Sequence, residues 1–158
     1  MKKKILIALL LIFIVIQFIR PAKNQSSGIA ETDITKHFTV PENVQVLLQR
    51  SCNDCHSNST QYPWYSNIQP VYWWLQKHIN DGKKELNFSE FGTYTAKRQV
   101  HKLNEVIGQI NKDEMPLNSY LWIHHDAKLG PDDKKILVDW ATSLKNQIAT
   151  ANQIPADK

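Results

Sequence analysis

Both cysteines of the chain stand in one pentapeptide, Cys52-Asn53-Asp54-Cys55-His56. Two thiols one helical turn apart can add to the two vinyl groups of a single haem. The imidazole that follows the second thiol is then held beneath the iron as an axial ligand. A thioredoxin-like redox couple would need a βαβ context, and strand patterns are scarce here. A zinc site would have to recruit scattered histidines, because no further cysteine exists. A disulfide between residues this close would restrain very little chain. Covalently attached haem c is therefore the leading reading, with Cys52 and Cys55 as anchors and His56 as proximal ligand.

The N-terminus bears on the compartment. Met1-Lys2-Lys3-Lys4 precedes an apolar run from Ile5 to Ile19 broken only by Gln17, and Arg20-Pro21 closes it. As a helix this run covers only about 22 Å, short of a ~30 Å hydrocarbon core, though flanking Lys and Arg can snorkel. No small-x-small pair follows to mark a cleavage site, so residues 1–21 are expected as a retained transmembrane anchor and not a cleaved signal peptide. Three lysines before the run and one arginine after it place the N-terminus in the cytoplasm and the remainder outside. That orientation agrees with covalent haem attachment, which in bacteria takes place on the outer face of the inner membrane.

The formal charge of +4 comes from the ends of this segment. Without Lys2, Lys3, Lys4 and Arg20, basic and acidic side chains balance. No basic stripe suggests a nucleic-acid partner.

Residues 22–38, with Asn24-Gln25-Ser26-Ser27-Gly28, read as a polar tether. Residues 39–148 suit one compact domain, and 149–158 read as a flexible tail. Apolar spacing inside the domain is helical throughout. One stripe runs Val44, Leu47, Leu48, Cys52 and Cys55. A second helix starts near Pro70 and ends before Asp81-Gly82. A third follows Thr95, and the last opens at Pro131-Asp132-Asp133, acidic residues suited to a helix N-terminus. The fold class is all-α: a cytochrome-c-like helical domain behind one N-terminal transmembrane helix.

Tyr62-Pro63-Trp64-Tyr65 and the Trp73-Trp74 pair concentrate aromatics beside the pentapeptide. Tyr62, Trp64 and Trp74 are candidates for the wall of a haem pocket, or alternatively ordinary core. Met115, in Asp113-Glu114-Met115-Pro116-Leu117, is the sole methionine after Met1. A thioether in a proline-bearing loop is suited to the second axial position, and Met/His ligation raises the reduction potential and closes the site. His78, His101, His124 and His125 compete for that place, with His78 the best of them. His37 lies too near the tether.

The stretch Cys52–Thr60 followed by Tyr62-Pro63-Trp64-Tyr65-Ser66 resembles the bacterial haem-binding-domain family. So do Pro70 with Trp73-Trp74, His78-Ile79, Leu86-Asn87-Phe88-Ser89, and Met115-Pro116-Leu117 with Tyr120. The resemblance covers about residues 39 to 145. It implies a cytochrome-c-like domain with a single haem, usually behind an N-terminal membrane segment.

Two functions fit. One is a membrane-anchored carrier passing single electrons between redox partner proteins outside the cytoplasmic membrane, without enzymatic activity. The alternative is a haem sensor, gas binder or weak peroxidase with an open or displaceable distal site.

Overall fold

The computed structural model describes residues 1–155. In chain order the helices are α1 (Lys2–Ile16), α2 (Ile34–His37), α3 (Glu42–Ser51), α4 (Asn53–His56), α5 (Val71–Glu85), α6 (Ala96–Asn111), α7 (Asn118–Leu121) and α8 (Pro131–Ala151). Short 3-10 turns occupy Trp64–Asn67, Phe88–Thr93 and His125–Ala127. The all-α expectation holds. Among the described residues the only strand-like pairing is an isolated bridge between Gln25 and Ser59.

Local chemistry sets the helix starts. The Thr95 side chain accepts the Arg98 N–H at the head of α6. Pro131 sits in the first turn of α8, and the Asp133 carboxylate accepts the Gly130 N–H at 3.1 Å. The same carboxylate takes a 2.7 Å ion pair from Arg50, which ties α3 to α8. Val44, Leu47 and Leu48 of α3, Val100, Leu103 and Ile110 of α6, and Leu137, Leu144 and Ile148 of α8 form the main core. Phe88, Phe91 and Trp140 are its aromatic members. Each such side chain contributes about 1.5–3 kcal/mol on burial, so this cluster carries most of the apolar stabilisation. A smaller cluster of Tyr65, Leu75 and Ile79, with Cys55 and Tyr62 against it, supports the cysteine turn.

Four sequence expectations differ from the structure: three are corrected, and the second, the transmembrane helix, is not supported. First, α5 does not stop before Asp81-Gly82 but continues to Glu85. A glycine costs a helix interior only about 1 kcal/mol. Here it is required: a Cβ at Gly82 would lie 2.7 Å from the Cys55 carbonyl oxygen, so its absence lets α5 pack directly on α4.

Second, α1 ends at Ile16, short of the 1–21 segment, and no helix among the described residues is long and apolar enough to cross a membrane. The helix ends in tight turns, with the N–H groups of Gln17, Phe18 and Ile19 bonding three residues back. The Gln17 side chain is taken by residue 69, accepting the Gln69 N–H at 2.9 Å.

Third, residues 22–38 do not run free as a tether. The Asn24 side-chain amide donates to the Ser57 carbonyl and Thr60 hydroxyl, and its oxygen accepts from Lys83. Ile34 of α2 is fully buried. Fourth, the expected tail is helical to Ala151, and Ile154 packs on the main core. Its last residues, 156–158, lie outside the described residues.

Candidate cofactor site

Helix α3 breaks at Cys52, whose φ of −129° departs from helical geometry, and a single further turn, α4, carries the chain through His56. The N–H groups of Cys55 and His56 both donate to the Cys52 carbonyl, at 3.1 and 3.0 Å. This tight wrap gathers Cys52, Cys55 and His56 on one cavity. Both cysteines are free thiols. Burial, with Cys55 adding repulsion, pushes the Cys52 thiol up to about 12. Burial, with Asp54 adding to it, pushes Cys55 up to about 11.

His56 Nδ1 lies 3.0 Å from the Leu86 carbonyl. A carbonyl only accepts, so Nδ1 carries the proton and Nε2 keeps its lone pair, the arrangement a metal-ligating imidazole needs. Burial holds His56 below its ordinary range, opposed in part by the carbonyls of Leu86 and Gly82. At neutral pH the ring is therefore uncharged and able to ligate.

Two cavities, of 270 and 240 Å³, adjoin around shared walls of Ser51, Cys52, His56, Glu85 and Met115. The first is completed by Asp54, Cys55, His78, Asp81, Gly82, Pro116, Leu117 and Tyr120. Leu48, Leu86, Phe88, Val106, Ile110 and Leu137 give the second a mostly apolar lining. Together they reach the ~300–1,000 Å³ typical of cofactor sites. A larger open groove of 1040 Å³ is lined by Asp54, Tyr62 and His124, but by neither cysteine, His56 nor Met115. Cys52, Cys55, His56 and Met115 all line the smaller pair.

The expected site residues divide. Cys52, Cys55, His56 and Met115 come together. Tyr62, Trp64 and Trp74 do not line either cavity. The Tyr62 hydroxyl accepts the Asn24 N–H at 2.7 Å and donates to Gln76 at 2.9 Å. Trp64 is 75% exposed. Trp74 is on the outer face of α5 and touches the site only through His78, whose ring centroid is 4.3 Å away. The aromatic wall is thus corrected: Tyr120 and the aliphatic side chains of α3, α6 and α8 enclose the space instead.

Of the competing histidines only His78 lines either of the two smaller cavities. Its Nδ1 donates to the Trp74 carbonyl at 2.9 Å. His101 pairs with Glu105 on the exposed face of α6, and His125 is exposed. His124 is held by the Tyr65 hydroxyl at 2.7 Å and stacks on Tyr120. His37 is bonded to the Glu31 carbonyl.

Three further residues were not expected to take part in the site. Tyr120 donates to Asp54 at 2.8 Å, and Asp54 also accepts the Gln61 N–H. Burial and then the Asp54 charge hold the Tyr120 phenol far above its usual range, so it stays a donor. The Ser51 hydroxyl lines both cavities, buried and without a protein partner. Gly82 permits the close approach already described. Paired free thiols, an imidazole with Nε2 available, a thioether and an unsatisfied hydroxyl around two adjoining cavities fit a haem.

The sequence pattern of the haem-binding domain family matches residues 11–143. No curated protein and no solved structure matches the chain.

Proposed function

The chain belongs to the haem-binding domain family, and from that premise we propose that it is a c-type cytochrome-like electron carrier. It would hold one covalent haem and be anchored by its N-terminal segment at the outer face of a bacterial inner membrane. Redox proteins would be its partners, and it would act as a carrier and not as an enzyme.

Each thiol, of Cys52 and of Cys55, would add across a vinyl C=C: sulfur forms a C–S bond, and its hydrogen goes to the other vinyl carbon. No oxidant is needed. His56, through Nε2, and Met115, through its sulfur, would hold the haem iron. The bound haem would supply the one-electron couple. Leu86 holds the His56 tautomer, Tyr120 ties α7, just after Met115, to the cysteine turn, and apolar side chains of α3, α6 and α8 would cover one side of the group. A thioether as the second ligand would favour a high potential and electron transfer over ligand binding.

The observation that carries this reading is the convergence of the two thiols, His56 and Met115 on adjoining cavities. His78 supports a second reading, since it alone of the other histidines lines the space. In that reading it ligates the iron or serves an open distal site for gas binding or weak peroxidase chemistry. Absorption spectra of the reduced protein with and without carbon monoxide test the choice. The carrier predicts a spectrum that carbon monoxide does not change at neutral pH. Rapid stoichiometric binding would overturn it in favour of the open site.

A further inference from the structure

From Ile5 to Val15 every large apolar side chain of α1 is at least 44% exposed, and none of the helix is buried on the domain. A helix that is apolar all round requires a non-aqueous cover. Lys2, Lys3 and Lys4 at one end and Arg20 and Lys23 beyond the other supply cations that match anionic headgroups.

The end of this helix is clamped to the domain. Gln17 and Gln69 exchange hydrogen bonds, Gln69 N–H to the Gln17 side chain at 2.9 Å and the reverse amide to the Gln69 carbonyl at 3.3 Å. Arg20 donates to the Asn67 carbonyl at 2.8 Å. The Ile19 carbonyl accepts from both the Gln69 side chain and the Trp73 indole, each at 2.9 Å. Buried Tyr72 donates to the Pro21 carbonyl. These contacts cross more than forty residues of sequence, so the domain is fixed where the apolar helix leaves it.

The residues interleaved with this clamp are exposed and apolar: Trp64 at 75%, Trp74 at 46%, Ile68 at 40% and Val71 at 37%. Asn67, which takes Arg20, also donates its side-chain amide to the Trp64 carbonyl. Indoles favour the headgroup level of a bilayer, where an apolar body and a polar N–H are both satisfied.

We propose that Trp64, Ile68, Val71 and Trp74 form a lipid-contacting rim that seats the domain on the membrane in one orientation. The proposal rests on the reading of residues 5–19 as a lipid anchor. Its consequence is that the cavity, reached from Trp74 through His78, faces a fixed direction relative to the bilayer.

The test uses the full chain carrying fluorotryptophan, in vesicles of phosphatidylcholine and phosphatidylglycerol doped with headgroup spin label. Single tryptophan substitutions assign the fluorine resonances, and flotation reports whether the chain binds vesicles. The rim predicts that Trp64 and Trp74 broaden selectively while buried Trp140 stays sharp. The variant pair Trp64→Ser and Trp74→Ser should still float, but with less broadening at Trp73. A floating chain whose Trp64 and Trp74 remain as sharp as Trp140 overturns the rim and leaves the anchor standing. A chain that does not float overturns both.

Discussion

Tyr120 donates a 2.8 Å hydrogen bond to the Asp54 carboxylate, and so ties α7, just after Met115, to the turn between the two cysteines. A hydrogen bond to a charged group contributes about 1.5–3 kcal/mol. Tyr120→Phe should therefore lower the unfolding free energy by up to that amount. It should also loosen the Met115 side of the site, which carbon monoxide binding to the reduced protein would register. A variant with wild-type stability and no carbon monoxide binding would deny the latch.

Met115 lines both cavities with His56, whereas His78 lines one. Met115→Ala should open the axial position and lower the reduction potential, because Met/His ligation raises it. His78→Ala should leave the spectrum and potential close to wild type. If His78→Ala, and not Met115→Ala, changes them, the ligand assignment reverses.

The two helical glycines make opposite forecasts. At Gly82 a Cβ would meet the Cys55 carbonyl oxygen at 2.7 Å, and backbone must move to admit it. Overpacking of this kind costs about 1–3 kcal/mol, so Gly82→Ala should destabilise the protein and disturb the cysteine turn. At Gly108 a Cβ meets nothing within 4 Å. Gly108→Ala should stabilise α6 by about 0.5–1 kcal/mol. Denaturant titration of both variants is the check, and equal effects would contradict the packing.

Burial sets the reactivity of the haem-free thiols. With Cys52 at about 12 and Cys55 at about 11, the folded form holds both as neutral thiols at pH 8. An exposed cysteine near 8.5 is about a quarter thiolate there, so iodoacetamide should alkylate the unfolded chain on the order of a hundredfold faster or more. The gap should narrow as pH rises. Because the folded pKa values are the higher ones, haem-free stability should be full below about pH 8.5 and fall above it, as the unfolded chain loses its protons first. Equal alkylation rates at pH 8 would contradict the buried placement.

Helices α6 and α8 were legible because Thr95 and Pro131-Asp132-Asp133 are local start signals and their apolar residues keep helical spacing. The thiol–imidazole centre was legible for the same reason: its geometry lies within five consecutive residues. Met115 could be named from its loop, but its partner Tyr120–Asp54 spans 66 residues and leaves no periodic trace. Aromatic density around Tyr62–Trp74 does not encode direction. Trp74 shares the outer face of α5 with Val71, and Trp64 projects from a 3-10 turn. Nor does polarity distinguish a solvated tether from one bonded to the domain: Asn24 reads the same in either case, and only Ser57, Thr60 and Lys83 reveal which it is.

Covalent attachment at Cys52 and Cys55 is the central claim, and acid denaturation followed by organic extraction of the haem-loaded protein tests it most directly. Thioether bonds predict that the red colour stays with the polypeptide, and that Cys52→Ala with Cys55→Ala releases it to the solvent. Colour that leaves the wild-type chain for the organic layer would contradict covalent attachment.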